Sequence, residues 1–184
     1  MPLKSLTLAA MFAVVIAFLA QISIPLPFSP VPVTGQTLGV LLAGTILGKN
    51  TGTLAVLGYL LMGAVGLPVF ARGGAGLAVF VGPTGGYLWG FVLGVYIMGM
   101  FLEKSKHEIG YLRLAAGMVL CLAVLYALGT LQLCYYLQLG FAEAFILAVV
   151  PYIPMEILKS SLAVVISYRA RKVLKKAGYL RNGE

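Results

Sequence analysis

The sequence predicts an all-α membrane protein of six transmembrane helices, with an external glycine- and proline-rich cap and both termini cytoplasmic. Three observations lead there. Of 184 residues, 61% are hydrophobic and 10% charged, against about 25% charged in an ordinary soluble domain. Six apolar stretches follow one another with short links, and about 20 such residues suffice for a helix to cross a bilayer. The basic residues fall almost entirely on one side of that layout.

The first span covers about 5–22 and ends in "SIPLPFSPVPV", four prolines in eight residues, which cannot be helix. The opening "MPLKSLTLAAMFAVVIAFLAQ" has the charge-then-apolar look of a signal peptide. Its apolar run is long and no convincing small-x-small cleavage site follows, so it is read as a retained span. Span two, about 34–48, is short and glycine-rich, and "KNTG" turns directly into span three, about 51–67. A long non-helical stretch, "PVFARGGAGLAVFVGPTGG", occupies 68–86. Spans four, five and six cover about 87–102, 111–137 and 144–168. The chain is one domain, 1–184, with 169–184 a basic cytoplasmic tail.

The positive-inside rule tests this order. With the N-terminus inside, Lys4, Lys49, Lys104, Lys106, Arg113, Arg169, Arg171, Lys172, Lys175, Lys176 and Arg181 are cytoplasmic. Arg72 alone lies outside, and Lys159 lies within the membrane. A five-span layout would expose either Lys4 or the basic C-terminus. The two long external links, after spans one and three, are apolar. Irregular backbone at membrane depth is tolerated only where protein buries it or it lines a cavity, so both are expected to fold down as a cap.

Several function classes fall away. A net charge of +8 with no Asp would suggest nucleic acid in a soluble protein, but here charge sets topology and no aromatic-and-basic surface suits bases. Cys121 and Cys134 share one helix pattern, about 20 Å apart along it, too far for a disulfide. "GTILGKN" lacks the glycine spacing and the hydroxyl residue of a phosphate-binding loop, so no ATP site is expected. His107 sits in a cytoplasmic loop, which excludes a His-based catalytic or metal centre. Glu156 is the sole intramembrane acid, too little for the carboxylate relay of a self-powered ion-coupled carrier. No enzyme, cofactor or metal is expected.

The residues that can carry chemistry are few. Glu156 and Lys159, three apart in span six, share a helix face and can pair. They are either a structural ion pair or a recognition pair at the base of an outward pocket. A carboxylate accepts from N–H groups and an ammonium donates, so together they suit a group with both faces, such as a urea. Pro151 and Pro154 disrupt the backbone just before them. Gln36, at the start of span two, either reads a ligand or bonds between helices. Tyr87 and Trp89 fit an aromatic belt, and Tyr87 can equally line a pocket; Gln132 and Gln138 read as interfacial. Arg72, in "ARGGAG", can meet a ligand carboxylate or a lipid headgroup. Ala9, Ala13 and Ala17 form a small-residue stripe, either packing within the bundle or docking another membrane protein.

Taken together, "PVPVTGQTLGVLLAGTILG", "GLPVFARGGAGLAVFVGPTGGYLWGF" and "IPMEILKSSLAVV" resemble the BioY family, the biotin-specific substrate-binding (S) components of energy-coupling-factor transporters. The resemblance covers roughly 4–170, and "GPTGGYLWGF" is its most specific piece. It implies a six-helix plasma-membrane protein of a prokaryote that captures biotin from outside. A separate transmembrane coupling (T) protein and two cytoplasmic ATPases would then drive transport. It implies, too, that the alanine-rich face docks on the coupling protein, and that Gln36, Gly73, Gly74, Tyr87, Glu156 and Lys159 fall at the binding site. Two positions depart from the family pattern. Glu156 stands where Asp is usual, pushing the carboxylate about 1.5 Å further, and Arg72 stands where glycine is more common. The alternatives are an S component for another small vitamin and a solitary carrier.

Overall fold

The computed structural model describes residues 3–104 and 109–177; Lys106, His107, Arg181 and the tail beyond Ala177 lie outside the described residues. The first helix, α1, runs Leu3–Ala20. Two strands follow, β1 (Ser23–Leu26) and β2 (Ser29–Thr34), then α2 (Gln36–Ala64). A 3₁₀ turn at Ala71–Gly73 and the one-turn helix α3 (Ala78–Val81) lead to α4 (Gly85–Glu103) and α5 (Tyr111–Leu137). After α6 (Phe141–Ala148), a 3₁₀ turn at Val150–Tyr152 joins α7 (Ile153–Lys176). Among the described residues, five segments are long and apolar enough to cross a membrane: Leu3–Ala20, Gln36–Ala64, Gly85–Glu103, Tyr111–Leu137 and Phe141–Lys176. Large apolar side chains such as Phe18, Leu61, Leu112 and Ile157 face outward, the surface a bilayer would cover.

The expected turn between spans two and three is tighter than the sequence suggests. Gly48 alone leaves helical geometry, at φ 78° and ψ −175°, a region essentially reserved for glycine. A Cβ on Gly52 would lie 2.8 Å from the Ala43 carbonyl oxygen, whereas nine residues of straight helix span about 14 Å. The chain therefore doubles back, with arms 36–47 and 49–64 side by side. In an unbroken helix the Lys49 N–H would donate to the Thr45 carbonyl. Here the Lys49 N–H donates to Glu103 Oε1 at 3.0 Å, and the Thr45 carbonyl accepts from the Arg171 guanidinium. Two charged side chains from other helices thus satisfy two of the backbone groups that the turn orphans. Lys49 Nζ also pairs with Glu103 Oε2 at 3.0 Å.

The proline-rich link, expected as irregular backbone, is an antiparallel ribbon pairing Ser23 with Thr34, Ile24 with Val33 and Leu26 with Ser29. A two-stranded ribbon has one unpaired edge per strand, where proline is tolerated. The glycine-rich link, expected to be non-helical, contains the 3₁₀ turn and α3. Span six, with its backbone expected to be disrupted at Pro151 and Pro154, is broken into α6 and α7 at Pro151.

Packing follows small residues. A Cβ on Gly90 or Gly94 of α4 would lie 2.8 Å from Leu125 Cα or 2.9 Å from the Cys121 carbonyl of α5. With Gly86 they repeat every four residues and let the two helices meet backbone to backbone. The alanine stripe corrects one expectation. Ala9 and Ala13 are buried, with Ala13 Cβ facing Gly58 of α2, and Ala17 is half-buried. The first helix spends this face on its own bundle, so the stripe offers no free surface for another protein.

Replacing Gly48 by Ala forces an L-residue into the glycine-only region and should destabilise the fold by about 1–3 kcal/mol. Gly110→Ala, where a Cβ meets nothing within 4 Å and only the N-cap preference for glycine is lost, should cost no more than about 1 kcal/mol. Thermal unfolding of the two variants in detergent checks both values.

Candidate ligand-binding site

Between the ribbon, the glycine-rich link and α2, α4, α5 and α7 lies a cavity of about 220 Å³. Its roof is Pro30, Val31 and Pro32 of β2, with Phe70, Ala71 and Arg72 from the 3₁₀ turn region and Val79 of α3. Its walls are Tyr87, Leu88 and Phe91 of α4 and Leu125 and Tyr126 of α5. Its polar end is Thr34, Gln36, Thr37, Glu156 and Lys159. An apolar chamber with polar groups gathered at one end is the usual form of a small-ligand site.

The polar end is built by two helix starts. Pro154 sits in the first turn of α7, where a missing N–H costs nothing. In the same turn and the next, Glu156 and Lys159 are 6% and 9% exposed, so both charges must find partners within the protein. Lys159 Nζ donates to Glu156 Oε1, to Thr37 Oγ1 and, at 3.0 Å, to the Thr34 carbonyl. Thr37 Oγ1 donates to Glu156 Oε1 at 3.1 Å. All three ammonium protons are therefore engaged by the protein. Glu156 Oε2, by contrast, is buried and completes no hydrogen bond among the described residues, although the Tyr126 hydroxyl lies close enough to interact with the carboxylate. The pair is asymmetric: the cation is satisfied, and one carboxylate oxygen remains open.

Gln36 lines the same end, and one N–H of its amide bridges the two helix arms. Its Nε2 donates to Tyr59 Oη at 2.6 Å, and its Oε1 accepts from Thr34 Oγ1 at 3.0 Å. Tyr87 lines the wall while its hydroxyl donates to the Ala148 carbonyl at 3.1 Å, the last residue of α6. Arg72 is exposed at the rim and holds a left-handed backbone at φ 60°, a conformation costing a non-glycine residue about 1–2 kcal/mol.

Gly73 and Gly74, expected at the site, do not line the cavity. Gly73 takes φ 70° and the Gly74 N–H bonds the Ala71 carbonyl at 3.1 Å. The two close the turn that presents Ala71 and Arg72. Gln132, expected to be interfacial, donates to the Phe80 and Gly82 carbonyls at 3.0 and 2.6 Å, pinning the link beside α3. Edge-on rings Tyr59, Phe70 and Phe80, with centroids 5.5 and 5.6 Å apart, anchor the same link.

Sequence reasoning missed Thr37, Tyr126 and Tyr152. Tyr152 Oη donates to the Val31 carbonyl and, at 3.0 Å, to Ser29 Oγ, fastening the ribbon to the turn before α7. A tyrosine beside two prolines in an apolar segment carried a weak signal. Thr37 follows Gln36 directly and was legible as a second hydroxyl one turn from the cap.

Fold and cavity together define a class: a membrane protein of several apolar helices built around a small-ligand chamber with one charged end. The comparisons sharpen it. The family model described as the BioY family matches residues 1–176, and the chain belongs to that family. It is 42% identical over 171 residues to the biotin transporter BioY of Thermotoga maritima, covering 93% of this chain and 98% of that protein. The biotin transporter BioY of Rhizobium etli is 38% identical over 170 residues, covering 89% of this chain and 90% of its own. Among solved structures, the crystal structure of the S-component for biotin from an ECF-type ABC transporter matches with a TM-score of 0.86. Its identity is 31%, over 92% of this chain and 91% of that one. These relatives are transporters by name, in keeping with the expectation that this chain is not an enzyme.

Two substitutions probe the site as built. Lys159→Met leaves the Glu156 charge buried and unpaired and should cost about 3–5 kcal/mol of stability, most of it regained in the double variant Glu156→Gln/Lys159→Met; denaturant titration in detergent reads the difference. Tyr152→Phe removes the ribbon's clasp, worth about 1 kcal/mol. Hydrogen exchange at the Val31 and Val33 amides should then quicken severalfold.

Proposed function

We propose that this chain captures biotin from outside the cell as the substrate-binding subunit of an energy-coupling-factor transporter. The observation that carries the reading is the buried, unpartnered Glu156 Oε2 at the closed end of an otherwise apolar chamber. A buried acceptor without a donor selects a ligand that presents N–H, because leaving it unmade costs about 1–3 kcal/mol. The ureido ring of biotin supplies such N–H groups. Its fused thiophane ring and aliphatic chain suit the walls of Leu88, Phe91, Leu125 and Tyr126. The valerate carboxylate then points to the rim, toward Arg72. Lys159 acts by holding Glu156, since its own protons are taken. Gln36 and Tyr87 shape the chamber, and Gly73 and Gly74 serve through the turn that sets Arg72.

Six spans with both ends cytoplasmic are part of the same proposal. The doubling back at Gly48 gives α2 two arms, and the break at Pro151 makes α6 and α7 one crossing. The contacts of Lys49 with Glu103, of Arg113 with the Phe101 carbonyl and of Arg171 with the Thr45 carbonyl gather these basic residues at one end of the bundle. Arg72 and the ribbon lie at the other. That division matches the positive-inside rule, and it favours the plasma membrane of a prokaryote with the cavity opening outward. A transmembrane coupling protein and two cytoplasmic ATPases would supply the energy, as the family assignment suggests.

Calorimetric titration of the detergent-solubilised protein, washed free of carried-over ligand, tests the reading. Biotin should bind saturably, one to one, at nanomolar strength. Glu156→Gln should weaken binding at least about tenfold, the loss of one charge-assisted hydrogen bond. Absence of heat with the wild-type chain would overturn the biotin assignment.

A further inference from the structure

We infer that Thr37 is a positioning residue, whose hydroxyl sets the direction of the Glu156 carboxylate oxygen left without a hydrogen bond among the described residues, Oε2. The inference rests on the reading of Glu156 as the ligand acceptor and assigns how that acceptor is aimed. Three hydrogen bonds close a ring: Lys159 Nζ to Thr37 Oγ1, Thr37 Oγ1 to Glu156 Oε1 at 3.1 Å, and Lys159 Nζ to Glu156 Oε1. A fourth bond, from Lys159 Nζ to the Thr34 carbonyl at 3.0 Å, uses the last ammonium proton. An ammonium has three donors and a hydroxyl has one. Neither Lys159 nor Thr37 keeps a proton for a ligand, so both act through the carboxylate.

What Thr37 adds to Lys159 is direction. A carboxylate facing a lone ammonium gains most by turning both oxygens toward it. Here the hydroxyl, standing on a different helix, donates to the same oxygen that the ammonium holds. Two donors converging on Oε1 fix the carboxylate plane and leave Oε2 buried without a partner. Thr37 is itself 8% exposed, so water does not replace it readily. Because Thr37 lies in the first turn of α2 and Thr34 ends β2, the aim of the acceptor depends on where the ribbon delivers the chain into α2.

Valine has threonine's shape without the hydroxyl, so Thr37→Val isolates the bond. The full-length protein in detergent would be compared as wild type, Thr37→Val and Thr37→Ser, and each change would be repeated with Glu156→Gln. Biotin titration should show a loss of about 10- to 100-fold for Thr37→Val and recovery to within about threefold for Thr37→Ser. In the Glu156→Gln background, Thr37→Val should add less than about twofold, since residues that act through one group are not additive. An independent readout needs no ligand. The infrared carboxylate band assigned to Glu156 by subtracting the Glu156→Gln spectrum should shift in Thr37→Val and return in Thr37→Ser. Unchanged affinity, an additive loss in the Glu156→Gln background, or an unshifted band in a variant that melts like wild type would overturn the inference. If wild type itself binds no biotin, the functional reading fails, and the infrared comparison alone decides the role of Thr37.

Discussion

The need to satisfy two charges buried in an apolar bundle governs the arrangement of the cavity end of this protein. Glu156 and Lys159 cannot lie inside the protein without partners; they pair with each other within α7, and their further partners come from β2 and α2. Lys159 reaches the end of β2 and the first turn of α2; Glu156 accepts from both Lys159 and Thr37. One ion pair therefore fixes the start of α7 against the start of α2 and seats the end of the ribbon over the cavity. A pair so placed need not raise net stability. Its effect is to leave one carboxylate oxygen available in a fixed place.

The opposite end of the bundle solves a related problem with backbone rather than side-chain groups. The reversal at Gly48 deprives Lys49 N–H and the Thr45 carbonyl of each other, and Glu103 and Arg171 take their places. Thr45 and Ser167 hydroxyls, 2.6 Å apart, join α2 to α7 nearby. Each end of α7 is thus tied to α2 by polar contacts, while its middle relies on apolar packing. The helix that carries Glu156 is fastened at both ends, which holds its carboxylate still relative to the chamber walls.

The cap shows how irregular backbone becomes tolerable at this depth. The ribbon pairs its own strands and hands its remaining acceptors at Val31 and Thr34 to Tyr152 and Lys159. The glycine-rich link gives its carbonyls to Gln132 and packs its rings on Tyr59. Neither segment is a loose loop. Roof and site share residues, since Thr34 closes the ribbon and also receives Lys159, so the chamber and its cover form together.

By itself the sequence determined the class of fold and the identity of the charged pair. Hydrophobic runs, proline positions and basic residues are local and additive signals, so the helices, the broken stretch before Glu156 and the family could be read directly. Glu156, Lys159, Gln36, Tyr87 and Arg72 do line one cavity, as their types and places suggested. What the sequence could not fix is which atoms remain free once the helices pack. That Lys159 is fully engaged, that Gln36 gives one N–H to Tyr59, and that Ala9 and Ala13 face inward depend on side chains from segments distant in the chain. The same holds for Thr37 and Tyr152, whose partners lie 119 and 121 positions away. Hydrogen bonds saturate, and which donor meets which acceptor is decided only when the helices and the cap come together in three dimensions.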